Sequence, residues 1–245
     1  MTALLSVPLQ AEAGPACSAP AATRCTRCGV RPFSWLSSVP EEALAQWPLP
    51  LEDVRLAPGE RLYDPGAPAL SFYTVRAGVL MLERRGENGE RRVVRLAAQS
   101  DVLGLEGLMQ PHYLHEARAF TDVALCRLGL PAVRQLLAEQ PRLYEELLRR
   151  YQRALEAAEA WQTGLCRGLA RSRVLRLLQT LAGCFGGERV ALPSREDIGA
   201  MLDIRVETAS RTVSQLRRER LLQPTRQGDW RVDLPGVRAA LAGAA

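Results

Sequence analysis

The sequence contains no lysine, and all 32 of its basic residues are arginine. It has only two histidines, and no apolar run approaches the roughly 20 residues needed to span a bilayer. No basic residue precedes Arg24, so the start of the chain lacks the charged region of a secretory signal. We therefore expect a cytoplasmic protein with no membrane partner. Codon bias in a GC-rich genome accounts for arginine in place of lysine, although arginine also suits guanine, phosphate and carboxylate.

Catalytic motifs are also missing. We find no nucleophile, base and orienting group at a motif spacing, no phosphate-binding loop and no metalloprotease helix. The sequence therefore predicts a protein that is not an enzyme. At 245 residues, 47% of them hydrophobic, it is long enough for two modest globular cores.

The net charge of +5 is concentrated at one end of the chain. From Arg171 onward there are 13 arginines and 8 acidic residues, whereas the preceding residues carry 19 of each. A neutral front and a basic back predict a sensing or assembly module joined to a module that binds a polyanion.

Short β-type runs separated by turn residues occupy the region from about Arg55 to Leu130. The clearest runs are Phe72–Arg76, Val79–Glu83, Arg91–Leu96 and Val123–Leu128. Strands of this length and spacing predict a barrel or a sandwich.

Beyond Pro131 the pattern becomes helical, with apolar residues at steps of three and four over about six turns. These residues are Tyr144, Leu147, Leu148, Tyr151, Leu155, Ala158, Trp161 and Leu165. The stripe fits packing on the chain's own barrel, or a coiled-coil seam with a second copy. We favour the seam and predict a homodimer.

The C-terminal part has the pattern of a helix-turn-helix. Ser194 followed by Asp197 marks a helix start, a break follows at Asp203–Arg205, and a second, arginine-rich helix runs from about Val206 to Arg220. Residues near Leu222 and Trp230–Val232 predict a small β-wing.

The second helix carries a polar face suited to a DNA groove. After Val206, residues Glu207, Ser210 and Arg211 share one face of the first turns. The Arg211 guanidinium can donate two hydrogen bonds to guanine, and the Glu207 carboxylate can accept one from the amino group of cytosine. The Ser210 hydroxyl can bond to either base. A solvated Glu–Arg pair is the alternative, but the basic domain favours contact with double-stranded DNA.

This stretch, with Glu207-x-x-Ser210-Arg211, resembles the recognition helix of the CRP/FNR superfamily, and specifically its FNR branch. Phe72–Gly78, the turn Gly86–Gly89 and Asp101–Gly104 resemble that superfamily's effector barrel, and Tyr144–Leu165 resembles its dimerisation helix. The resemblance implies an α+β protein with a jelly-roll barrel of the cyclic-nucleotide-binding type, a long dimerisation helix and a winged helix-turn-helix. We expect four regions: a cysteine-bearing segment (residues 1–49), the barrel (50–135), the dimerisation helix (136–166) and the DNA-binding domain (167–245).

The residues expected to hold a cyclic nucleotide differ from the family pattern. Cyclic-nucleotide binders have a Gly-Glu turn and an Arg-Ser pair where this chain has Gly104-Leu105 and Tyr113-Leu114. Without a cation at Tyr113, a buried phosphate would have no partner, so we do not expect cyclic AMP as the effector.

Four cysteines offer a different effector. Cys17, Cys25 and Cys28 lie near the start, and Cys126 lies where the FNR branch places a remote cysteine. Four thiolates suit a 4Fe-4S cluster or a structural zinc, and the resemblance favours the cluster. The x7 then x2 spacing departs from the commonest FNR spacing and resembles the variant in some FNR-type regulators, except that Gly14 stands where that variant has its first cysteine.

The resemblance thus implies an oxygen-sensing regulator that binds DNA as a dimer while its cluster is intact. Its site would be an inverted repeat resembling TTGAT-N4-ATCAA, with the guanine read by Arg211. The turn Gly86–Gly89 is either a contact for RNA polymerase or an ordinary hairpin. A structural metal, a haem-based gas sensor using His112 or His115, and a protein with no cluster are the alternatives.

Overall fold

The computed structural model describes Cys25, residues 28–46 and residues 50–243. These residues form two compact units. The first contains the residues up to Arg84 together with Leu96–Glu156, and the second contains Arg85–Arg95 and the residues from Ala157 onward.

Two four-stranded antiparallel sheets build the barrel. One has the order β1-β8-β3-β6 and the other β2-β7-β4-β5. The strands are β1 (Glu52–Leu56), β2 (Arg61–Tyr63), β3 (Ser71–Ala77), β4 (Leu80–Arg85), β5 (Arg91–Ala97), β6 (Val102–Leu103), β7 (Glu116–Ala119) and β8 (Val123–Gly129). The four runs read from the sequence correspond to β3, β4, β5 and β8. The predicted barrel of an α+β protein is confirmed.

A close backbone contact shapes the turn between β3 and β4. Gly78 has φ +82°, and a Cβ there would collide with the carbonyl of Asp122. Only glycine adopts this backbone conformation without strain and leaves room for that carbonyl.

The segment before the barrel is folded, which the sequence pattern did not predict. It contains a 3-10 helix (Arg31–Phe33) and helix α1 (Glu41–Gln46). Its apolar side chains are buried in one core with strand residues of the barrel. The ring of Trp35 packs edge-on against that of Phe72, with centroids 5.0 Å apart.

Two helices follow the barrel. Helix α2 (Leu130–Glu139) has a proline in its first turn, where the missing N–H costs nothing. Helix α3 (Arg142–Ala160) continues into a π-helical turn, Trp161–Leu165. The sequence predicted one regular helix through Leu165. The last turn is instead wider, and near its end the carbonyl of Gly164 accepts a hydrogen bond from Arg176 (2.9 Å).

The C-terminal domain is a winged helix-turn-helix, as predicted. Its elements are α4 (Ala170–Phe185), β9 (Arg189–Val190), α5 (Arg195–Leu202), α6 (Val206–Arg218), β10 (Leu222–Pro224), β11 (Trp230–Val232) and α7 (Leu234–Ala242). The Ser194 hydroxyl accepts a bond from the Asp197 amide (3.0 Å), which caps α5. The turn before α6 contains Asp203 in the left-handed conformation, with φ +54°. Strands β10, β11 and β9 form the wing sheet in that order.

None of the described helices is long and apolar enough to cross a membrane.

We predict that replacing Trp35 with alanine lowers the free energy of unfolding of the first unit by about 3 to 5 kcal/mol, because it removes a large buried ring. Trp35 is 2% exposed. Urea unfolding followed by circular dichroism measures the loss. Phe33→Ala is the matched control, since Phe33 is 46% exposed, and it should cost about 1 kcal/mol or less. Equal losses for both variants would show that the segment does not depend on this core.

Candidate functional site

The face of α6 that the sequence assigned to DNA is exposed. Ala209, Val213 and Leu216 are fully buried beneath it. Glu207, Ser210 and Arg211 all lie on the solvent side, and Val206 is 41% exposed at the start of the helix. The buried stripe fixes the rotation of α6, so these polar side chains point outward together.

This polar face continues into an open groove between α6 and β10. Besides Ser210 and Arg211, the groove is lined by residues that include Ser214, Gln215, Arg218 and Gln223. Ser214 and Gln215 were not among the residues predicted from the sequence to contact DNA. Helical spacing does identify this longer face, because Ser214 and Arg218 follow Arg211 by three and seven residues and so lie on the same side of the helix.

Several arginines near the groove are engaged within the domain. The guanidinium of Arg217 lies 5.4 Å from the centroid of the Trp230 ring. Arg189 pairs with Asp229 across the wing (3.1 Å). Burial, aided by the charge of Arg217, lowers the pKa of Arg195. Charge counts from the sequence alone therefore overstate the cations that are free to meet phosphate.

Three of the four predicted metal-binding cysteines come together, and Cys17 lies outside the described residues. Cys25, Cys28 and Cys126 line one cavity at the side of the barrel. Cys25 and Cys28 belong to one turn, in which the Cys28 amide donates to the Cys25 carbonyl (3.3 Å). Cys126 lies on β8 and is paired with Asp53 of β1 and with Thr74 of β3.

Cys126 lies in largely apolar surroundings, close to the thiols of Cys25 and Cys28. Burial raises the pKa of Cys126 to about 12. The positive charge of Arg76 opposes this rise, and the Cys28 and Cys25 thiols add to it. Within the described residues, no three His, Cys, Asp or Glu side chains are arranged to hold a metal ion. These thiols do not by themselves form a single-ion site.

The other sulfur and imidazole groups are separate from this cavity. Cys166 and Cys184 belong to the second unit, and neither lines this cavity. His112 is exposed and forms a backbone bridge with Pro68.

Aromatic rings occupy the part of the barrel where the sequence pattern departs from a cyclic-nucleotide binder. Tyr113 is buried and stacks on Tyr63, with ring centroids 3.9 Å apart. Its hydroxyl donates to the Ser71 carbonyl (2.9 Å), and burial raises its pKa above the ordinary value. Gly104 has φ +82°, and a Cβ there would collide with that same carbonyl. The chain thus places a neutral, internally bonded ring at this position.

The predicted dimerisation stripe divides into two groups. Leu147, Trp161 and Leu165 are buried within the chain. The remaining five residues lie on the solvent side of α3: Tyr144 (57% exposed), Leu148 (67%), Tyr151 (53%), Leu155 (44%) and Ala158. We call Tyr144, Leu148, Tyr151, Leu155 and Ala158 the outer stripe. Steps of three and four produce both groups, because one side of the helix packs inward while the adjacent side does not.

A buried arginine joins α3 to the N-terminal segment. Arg150 is 8% exposed, and its guanidinium donates to the carbonyls of Phe33 (2.7 Å) and Ser100 (3.0 Å). Burial lowers its pKa. The cysteine-bearing segment and the helix of the outer stripe are therefore connected through hydrogen bonds as well as apolar contacts.

Comparison with known proteins connects these features. Residues 53–140 match the cyclic nucleotide-binding domain family, and residues 172–239 match the Crp-like helix-turn-helix domain family. The transcriptional regulatory protein btr of Bordetella pertussis is 29% identical over 195 residues, which cover 76% of this chain and 80% of that protein. The transcriptional activator protein FnrA of Stutzerimonas stutzeri is 28% identical over 196 residues, which cover 78% of this chain and 80% of that protein. The structure of FixK2 from Bradyrhizobium japonicum aligns with a TM-score of 0.70 at 24% identity, over 80% of this chain and all of that one.

The chain belongs to the CRP/FNR family of transcription regulators.

Membership of the CRP/FNR family accounts for the two units. The barrel matches the family's effector domain, and α5 and α6 match its DNA-binding motif. The relatives are transcription regulators, and regulators of this family bind DNA and typically act as dimers. Since a fold does not specify its ligand, the match to a cyclic nucleotide-binding domain leaves the effector to be argued from the site.

Proposed function

We propose that this CRP/FNR-family regulator senses oxygen through a 4Fe-4S cluster held by Cys17, Cys25, Cys28 and Cys126. One observation carries the proposal: two thiols of a short N-terminal motif and one thiol of a barrel strand line the same cavity. Cysteines far apart in sequence rarely meet in this way without a shared role, and four thiolates are the usual ligands of such a cluster.

Four thiolates suit a cluster or a zinc ion, and similarity to FnrA favours the cluster. A cluster presents its irons at separate corners, so its thiolates need not converge on one point as zinc ligands do. When bound, the cluster would supply oxygen sensitivity, since oxygen oxidises its iron.

The chain's own residues provide a route from the cysteines to the dimerisation helix. The core that contains Cys25 and Trp35 also contains Leu143 and Leu147 of α3. Arg150 adds two hydrogen bonds between the same parts of the chain. A ligand shared between the N-terminal thiols and Cys126 would stiffen this core, and thereby favour one position of the outer stripe.

The outer stripe is the surface we assign to a second copy of the chain. Large apolar side chains exposed at heptad spacing are typical of a coiled-coil seam. Pairing of two copies would place two α6 helices about one DNA turn apart, roughly 34 Å, and so match an inverted repeat such as TTGAT-N4-ATCAA. DNA affinity then depends steeply on the fraction of paired protein, so an intact cluster promotes binding.

RNA polymerase is the second macromolecular partner that we assign. The turn between β4 and β5, Gly86–Gly89, projects Glu87 and Asn88 into solvent. The Gly86 amide donates to the Glu90 carbonyl (2.9 Å), which holds the tip in a defined shape.

We predict that protein purified without oxygen contains about four iron and four sulfide per chain, with visible absorption that bleaches in air. Cys126→Ser should abolish assembly because it removes the barrel ligand. Cys184→Ser, a cysteine of the other unit, should not. Iron and sulfide analysis of the three proteins measures this. Zinc without sulfide would instead support a structural metal, a Soret band would support haem, and either result would overturn the proposal.

We predict that Arg211→Ala weakens binding to the inverted repeat by about 1 to 3 kcal/mol and relaxes the preference at one base pair of each half-site. The reason is loss of a bidentate contact to guanine. Fluorescence anisotropy with a set of single-base variants measures both effects. Arg218→Ala is the control, since loss of a phosphate contact should weaken all sequences equally and reduce the salt slope by about 1. A uniform loss for Arg211→Ala would demote that residue to a phosphate contact.

We predict that Leu148→Asp converts the dimer to monomers, because two carboxylates would be buried in the seam without partners. Sedimentation equilibrium of the anaerobic protein measures the dissociation constant. Arg153→Asp also places a carboxylate on α3, but on the side away from the outer stripe, and should leave the dimer intact. Equal dissociation of both variants, or of neither, would show that the outer stripe is not the seam.

A further inference from the structure

Two arginines share the cavity with the cysteines. Arg31 comes from the 3-10 helix that follows Cys28, and Arg76 comes from β3, the strand paired with β8. In each of them the Nε atom is buried and has no hydrogen-bond partner within the described part of the chain.

In each guanidinium group, a terminal nitrogen holds the side chain in place. Arg31 donates from Nη2 to the Val39 carbonyl (2.6 Å), and Arg76 pairs through Nη1 with Asp53 (3.2 Å). Each guanidinium is therefore held through one of its terminal nitrogens, while its buried Nε–H has no acceptor within the described residues. A buried donor without an acceptor costs about 1 to 3 kcal/mol, and more when the group is charged, so an acceptor in this cavity would be stabilised by two such donors.

Sulfur atoms that carry negative charge are the acceptors that this cavity would offer. Thiolates bound to iron and the sulfides of a cluster are anionic, and a cluster with four thiolates has a net negative charge. Arginine suits this role because it stays protonated when it is partly buried.

We propose that Arg31 and Arg76 donate their Nε–H groups to sulfur atoms of the bound cluster or of its cysteine ligands, and thereby set its reduction potential and its lifetime in oxygen. This inference rests on the proposed function. Hydrogen bonds and positive charge near sulfur stabilise the more negative of two oxidation states, so both arginines raise the potential and slow oxidation.

The test compares Arg31→Gln and Arg76→Gln with Arg127→Gln in the full chain, purified without oxygen. Arg127 is the matched control because it follows Cys126 directly, yet its Nε donates to Ser71 (2.9 Å) and it pairs with Glu52 (3.1 Å). We expect both cavity variants to show a more negative reduction potential in a dye-mediated titration, and loss of visible absorption in air that is faster by about tenfold. Arg127→Gln should match the unsubstituted protein in both measurements.

The outcomes separate this inference from the proposed function. Absence of iron and sulfide from the unsubstituted protein would defeat the function itself. A cluster whose potential and air lifetime are the same in the two cavity variants as in Arg127→Gln would overturn the role of the arginines and leave the function standing. If a glutamine variant folds but assembles no cluster, Arg31→Lys and Arg76→Lys decide. Recovered assembly with a shifted potential supports Nε donation, and an unshifted potential refutes it.

Discussion

One shared apolar core connects the parts of this regulator that have different tasks. The rings of Trp35 and Phe72 meet within it, and the same core takes in Cys25 and the first inward-facing residues of α3. Protein interiors are close-packed and transmit small displacements rather than absorb them. The N-terminal segment is consequently part of the barrel's folded structure, and any ligand bound by its cysteines acts on a packed surface.

Sequence patterns that span a few residues predicted helix boundaries correctly. Structure that depends on contacts between residues far apart in the sequence was not predicted. Ser194 and Asp197 located the start of α5 because the capping bond spans only three residues. The fold of the segment around Trp35 was not predicted, since its helices are short and depend on burial against β3 and α2. Short helices have little stability of their own, so no local pattern marks them.

The candidate sites show the same division. The outward face of α6 followed from helical spacing, because burial of Val213 fixes which side of the helix faces solvent. Spacing could not show which residues of the α3 stripe face inward. Leu147 is buried and Leu148 is exposed, yet both belong to one continuous run of apolar residues. The meeting of Cys126 with Cys25 depends on strand pairing across the barrel, and only the resemblance to known regulators indicated it from sequence.

The π-helical turn at Trp161–Leu165 sets the length of the seam that we propose between two copies. A seam needs a constant phase, and the change of helical period ends the outer stripe at Ala158, so the seam extends for only about four turns, or roughly 22 Å. In a seam of this length, each 1.4 kcal/mol gained or lost would change the dissociation constant about tenfold. On the proposed seam, an effector that changes the packing of α3 would therefore shift the balance between one chain and two.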